Sequence, residues 1–298
     1  MNIKNLIFGA ILFLSCSLIS LFAQEPVKNI VNITLDAPQT IESVGAAQGV
    51  TWHDDKAYIY GDAKPGVMRE YRVTKNKTLE FTNLEVKLTV DGADKLPHPT
   101  GLTFRPEYGV FLGNTVRRKG NIVLLDWRNL LKTKTLDGNI LNEIEDDIAV
   151  NGTRPEFVRV GKRWLLATSD YGASGNEIRL YDPEKLKTAK KTSEAGVLVA
   201  RFGCGAWVQN LHWIDRRGLL VLVQNQIEGL RWRLTFLDLE KSLASKNAEI
   251  VQTVDLTPTD ELEGFYLIGD ARGILVSSSR RNNAIFADFD WLKKPAKR

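Results

Sequence analysis

Apolar and polar residues alternate over short runs in this chain, and Gly, Asp, Asn or Pro closes each run at a tight turn. A period of two is strand-like, not helical. The runs come in pairs with one layout: a polar anchor, a β-type run, a turn, a second run and a polar tip. Gln48-Gly49-Val50-Thr51-Trp52 opens the first pair, which turns at 53–56 and ends at Asp62. Thr100-Gly101-Leu102-Thr103-Phe104 opens the second, which ends at Asn114. The third starts at Glu156-Phe157-Val158, turns at Gly161-Lys162 and ends at Asp170. The fourth runs from Gln209 through a turn at 215–218 to Asn225, and the fifth from Glu263-Gly264-Phe265 through Gly269-Asp270 to Ser278.

The anchors at 48, 100, 156, 209 and 263 recur about every fifty residues, the length of a four-stranded propeller blade. A third run in the last four units carries an Asp: Asp126, Asp182, Asp238 and Asp290. Helix-favouring stretches such as 184–189 and 239–245 follow, then fourth runs such as 84–90, 196–202 and 249–256. The fifth unit runs out of chain after its third run, while an unassigned strand at 29–35 precedes the first. Adding that strand to the last unit completes it and removes an exposed sheet edge. The expectation is an all-β fold: a five-bladed β-propeller of four antiparallel strands per blade, its N-terminal strand closing the last blade. Six blades lack a sixth anchor, and a pair of β-sandwiches does not explain the regular spacing.

Composition changes little in this picture but bounds it. The 298 residues are 43% hydrophobic and 26% charged, as in an ordinary folded protein. Residues 1–23 read as a secretory signal: Lys4, an apolar stretch, then Leu21-Phe22-Ala23 before Gln24. An uncleaved anchor and lipidation at Cys16 are the competing readings. Cleavage after Ala23 leaves a propeller domain at 24–298, secreted or periplasmic, monomeric and without a membrane span. Cys204 is then the sole thiol, so no internal disulfide forms, and a packed, inert role is expected for it. Lys and Arg total 40 against 36 acids, scattered except in the tail 293–298, which reads as a solvated terminus; for a secreted chain no nucleic-acid partner is expected.

In an up-and-down blade, the start of the first strand and the end of the second lie on one face beside the axis. One channel mouth should therefore gather the anchors Gln48, Thr100, Glu156, Gln209 and Glu263 with the tips Asp62, Asn114, Asp170, Asn225 and Ser278. Flanking loops add His98, Arg154, Asn210, Glu261, Arg117, Tyr171 and Arg280. Glu156 and Glu263 are the candidate catalytic carboxyls and His98 the candidate general base. The Arg residues suit a carboxylate or phosphate, and Asp and Asn oxygens suit Ca²⁺. No two of the three His fall at a zinc spacing, and no nucleophile elbow or phosphate loop is present.

The anchors resemble the Glu-Gly or Gln-Gly that opens blades in secreted lactonase-like, strictosidine-synthase-like and phytase-esterase-like propellers. Glu261-Leu262-Glu263-Gly264-Phe265 is the nearest stretch. Over 29–291 the layout is similar to that of uncharacterised secreted bacterial propellers. The resemblance implies a divalent metal held by an anchor Glu with Asn or Asp from other blades, here Glu263, Asn114, Asp170 and Asn210. Three functions stay open: binding of a small polar ligand (a sugar or organic anion) at the anchor mouth, metal-assisted hydrolysis there, or a protein-interaction scaffold.

Overall fold

The computed structural model describes residues 29–227, 229 and 231–292; the expected signal at 1–23 and the basic tail 293–298 lie outside the described residues. Five four-stranded antiparallel sheets, each a simple meander with strands lettered A to D from the axis outward, form a five-bladed β-propeller. Blade 1 comprises Ala47–His53, Lys56–Gly61, Val67–Val73 and Leu79–Lys87. Blade 2 comprises Pro99–Arg105, Gly109–Val116, Lys119–Leu125 and Ile140–Asp146. Glu156–Val160, Arg163–Ser169, Glu177–Tyr181 and Leu198–Gly203 make blade 3. In blade 4 the strands are Val208–Ile214, Leu219–Ile227, Arg231–Asp238 and Ile250–Leu256. Blade 5 supplies Leu262–Ile268, Arg272–Ser277 and Ala284–Trp291, and its D strand is Val31–Leu35 from the other end of the chain.

Alternation buries both faces of each sheet. The apolar residues form five separate clusters, and each lies between two neighbouring blades: Tyr58, Val86 and Leu88 with Leu102 and Leu112, for example, between blades 1 and 2. Stability is therefore distributed around the ring and depends on every blade having two neighbours. The recurring Asp acts locally. Asp126, Asp182 and Asp238 cap short helices at Trp127–Thr133, Pro183–Leu186 and Leu239–Ser245, accepting backbone N–H bonds at 2.9–3.1 Å from the first turn. Asp290 caps nothing and stays within strand C of blade 5.

Closure is as the orphan strand requires. Val31–Leu35 pairs antiparallel with Ala284–Trp291 in the register Ile33 to Phe289. Gln252, buried on strand D of blade 4, accepts from the N–H groups of Ile30 and Val31 at 2.7 and 3.0 Å and donates to the Val31 carbonyl at 3.0 Å. That side chain ties the N-terminal strand to the adjacent blade as well as to its own. Lys77 adds a half-exposed bridge to Asp36 and Asp288, at 2.9 Å each, which contributes less because water screens it. On the inner side, blade 5 meets blade 1 backbone to backbone. A Cβ on Gly264 would lie 2.6 Å from the Gly49 Cα, so only glycine permits this approach.

Truncating Gln252 to Ala should leave three buried backbone groups without partners and cost about 2 kcal/mol or more of unfolding free energy. Urea denaturation measures this, and an unchanged midpoint would show that the latch contributes nothing.

Candidate functional site

Strand A aims its side chains at the axis through a repeated irregularity. In blades 1, 2, 4 and 5 the A–B pairing register slips at Gln48, Thr100, Gln209 and Glu263. Such bulges re-aim a side chain. Three residues further on, Thr51, Thr103, His212 and Tyr266 face the axis again, near its opposite end. Blade 3 enters through Arg154-Pro155 and has no bulge. Pro155, lacking an N–H, packs instead on Gly101 and Gly113 of blade 2.

Hydrogen bonds fix the register of blade 3. Thr103 Oγ1 accepts from the Phe157 N–H at 3.1 Å, Glu156 Oε1 from the Trp213 N–H at 3.0 Å, and His212 Nε2 from the Leu267 N–H at 3.2 Å. Each joins one A strand to the next, so Thr103, Glu156 and His212 are equivalent positions. The blade 3 anchor is thus Thr153, three residues earlier than expected. Glu156 does not join Glu263: it lines the far end of the channel with Thr51, His212 and Tyr266, and the expected Glu156–Glu263 catalytic pair is not formed.

The anchor mouth opens into a cavity of about 480 Å³. Gln48, Asp62, His98, Arg117, Arg154, Gln209, Glu263 and Ser278 line it as expected, with Tyr171 and Glu261. Thr115 and Asn151 also line it and were not foreseen. Thr115 is the true blade 2 tip, one residue past Asn114, a shift that follows from the pairing of Asn114 with Pro99. Glu263 accepts from Gln209 Nε2 at 3.2 Å. Burial, then the neighbouring Glu261, pushes its carboxyl well above the usual range, against the pull of Arg154. Burial also lowers His98, and the Arg154 charge adds to that effect.

Four expected ligand residues serve the scaffold instead, and a fifth lies outside the cavity. Thr100 donates to the Thr153 carbonyl at 2.5 Å, and Asn114 accepts from the His98 N–H at 3.0 Å. Asp170 is saturated: its oxygens take the N–H groups of Val150, Asn151 and Glu177 and the Arg179 guanidinium at 2.6 Å. Asn225 is buried and donates to the Leu262 carbonyl, and Arg280 is exposed outside the cavity. The set Glu263, Asn114, Asp170 and Asn210 does not converge on a metal position, because three of the four are committed elsewhere. Among the described residues no group of three or more His, Cys, Asp or Glu side chains is placed to hold a metal ion. Cys204 is half-buried, and burial pushes its thiol up to about 12, as suits an inert group.

Asn210 has another role. Its Nδ2 donates to the Tyr60 hydroxyl at 3.0 Å and to the Glu263 carbonyl at 3.3 Å, and its Oδ1 takes the Leu211 N–H. The Tyr60 hydroxyl also bonds the Leu102 backbone. One phenol thereby joins blades 1, 2 and 4 on the axis. It passes beneath Gly49, where a Cβ would collide with it. Burial raises this phenol far above its ordinary value, and both Glu156 and Glu263 add to that from either side. The two ends of the channel carry separate cavities with no lining residue in common.

No protein-family model matches this chain, and no curated protein matches it. Among solved structures it is similar to Kuenenia stuttgartiensis hydrazine synthase, at 13% identity with a TM-score of 0.43, covering 80% of this chain. The chain spans 58% of the hydrazine synthase chain. It is also similar to the computationally designed Ika8 protein, at 8% identity and a TM-score of 0.37, covering 81% of this chain and 72% of that one. Neither likeness bears on what this chain does.

Buried Glu156 and His212 make stability depend on pH in opposite senses. Burial raises Glu156 to about 8, so the folded state holds a proton that the unfolded chain releases above about 4.5; its contribution is lost as pH rises toward 8. Burial lowers His212 to about 3, so its contribution is lost as pH falls below 6.5. The two oppose each other between 4.5 and 6.5. Above 6.5 the carboxyl acts without that opposition. Stability should therefore fall from pH 6.5 to 8, and Glu156→Gln should remove about 1 kcal/mol per pH unit of that slope. Denaturant midpoints across this range, identical in slope for both proteins, would refute the assignment.

Proposed function

We propose that the protein binds a small organic anion at the Glu263 mouth, with Arg154 as the anchor for its carboxylate. One observation carries this reading. Arg154 is 3% exposed, and its Nε donates to the Gln209 carbonyl at 3.0 Å and Nη1 to that of Ser169 at 3.5 Å. Its guanidinium lies 5.3 Å from the Tyr171 ring centroid. No carboxylate oxygen of the described residues lies within 4.0 Å of it. Burial lowers it only to about 10, so it stays cationic at neutral pH, while Glu263 is held toward its neutral form. A buried cation without a counter-ion is costly. A ligand carboxylate supplies that counter-ion through charge-assisted hydrogen bonds. Gln48, Gln209, His98 and Ser278 provide neutral polar contacts around it, in a volume suited to a small molecule.

A second reading is hydrolysis of a lactone, ester or glycoside at the same mouth. It is favoured by Glu261, Glu263 and Asp62 lining one cavity, with Glu263 held toward the acid form. It proceeds without the metal set named above. An interaction scaffold gains less support: exposed large apolar residues such as Phe81, Leu141, Val199 and Ile250 stand singly on the D strands of different blades. The proposed setting is the periplasm or cell exterior, on the character of residues 1–23, and the proposed unit is a monomer.

Melting curves of the protein with acetate, lactate, succinate, citrate and a panel of neutral sugars test the binding reading. At least one acid should raise Tm, and Arg154→Lys should abolish the rise while the exposed Arg117→Ala only weakens it. Shifts from sugars alone, or an unchanged shift in Arg154→Lys, would overturn it. For hydrolysis, turnover of p-nitrophenyl esters and glycosides should fall at least about a hundredfold in Glu263→Gln; no turnover by the wild-type protein removes that reading.

A further inference from the structure

The far mouth of the channel carries a different chemistry. It opens on a cavity of about 160 Å³ walled by Trp52, Phe104, Trp164 and Trp213. Its floor is the ring of equivalent positions Thr51, Glu156, His212 and Tyr266. His212 Nε2 accepts from the Leu267 N–H, so the ring proton of the neutral imidazole sits on Nδ1. That Nδ1–H faces Glu156 Oε1 at 3.7 Å, too far for a hydrogen bond, and is left as an unused donor. The hydroxyls of Thr51 and Tyr266 also make no hydrogen bond within the described residues. Glu156 takes the Trp213 N–H and a bond from Thr103 and has acceptor capacity to spare.

The charges at the rim are already matched. Arg105 Nε lies 3.0 Å from Glu107, with its guanidinium carbon over the Trp164 ring, 3.7 Å from the centroid. Asp215 takes Arg159 at 2.9 Å and the Trp213 indole N–H at 3.1 Å. A charged ligand finds no free counter-ion there, unlike at the Arg154 mouth. Aromatic walls over a floor of unused donors and acceptors suit a molecule with apolar C–H groups and hydroxyl edges. We infer that this far mouth is a second binding site, independent of the Arg154 cavity, that takes one neutral sugar ring or a polyol of that size. The volume lies below the ~300–1,000 Å³ of sites for larger ligands, which limits the occupant to a single ring.

Three tryptophans in the wall give a direct readout. Tryptophan fluorescence is titrated with xylose, arabinose, methyl glucoside, methyl galactoside and glycerol. At least one probe should give a saturable change with Kd on the order of 1 mM. Thr51→Val and Tyr266→Phe, which preserve volume, should each weaken it about fivefold or more, and both together further. Arg154→Lys should leave it unchanged. The inference is overturned if no probe saturates by about 100 mM, if the double variant binds as the wild type does, or if Arg154→Lys abolishes the change, which would place the binding at the other mouth.

Discussion

Five strands converging on one axis leave either a hole or a collision, and here the Tyr60 hydroxyl resolves the conflict. Glycines at 49 and 264 let the A strands of blades 1 and 5 approach closely enough for the ring to close, and the room beneath Gly49 admits the phenol. Asn210 and the Leu102 backbone then satisfy that hydroxyl from two other blades. The phenol lies between Glu156, which lines one cavity, and Glu263, which lines the other. Its burial is tolerated because the oxygen accepts hydrogen bonds from two other blades. Glu156 and Glu263, one on each side of it, are held away from water and from each other.

Buried charge is handled in two ways, and the contrast gives the anchor mouth its meaning. Arg179 in blade 3 is fully buried, with Asp170 at 2.6 Å and Asp146 at 3.6 Å, and the Tyr181 hydroxyl donates to Asp146 at 2.6 Å. That cluster is closed and structural. Arg154 has carbonyls and an aromatic face but no ion pair among the described residues. The same residue type, at similar depth in neighbouring positions, is compensated in one case and left open in the other.

The architecture was legible because strand spacing, turn residues and the orphan strand at 29–35 each bear on a different level of the fold and agree. The Asp that follows strand C was visible as a repeat, and its capping role follows from ordinary helix chemistry. The site was legible only in part. Glu156-Phe157 looks like Glu263-Gly264-Phe265, yet strand A of blade 3 extends two residues further beyond its axis-facing position than those of the other blades, to Val160 against Ile214 or Ile268. Counting from the turn therefore misplaces its anchor. The missing glycine after Glu156 was the available signal, since every bulged blade but the fourth has one at that position. The role of Asp170 is hidden for another reason: no local pattern announces Arg179, nine residues away, as its counter-ion.

The pairing of Val31–Leu35 with Ala284–Trp291 also sets a temporal order. The first described strand finds its partner only when residues 284–291 have emerged, so this sheet assembles across all the other blades. Search over such a loop adds little to the equilibrium cost, which grows only logarithmically with length, but it slows assembly. Until that pairing forms, Trp291 and Phe289 present an unpaired edge to other chains, which makes the interval before ring closure the period of greatest exposure to misassociation.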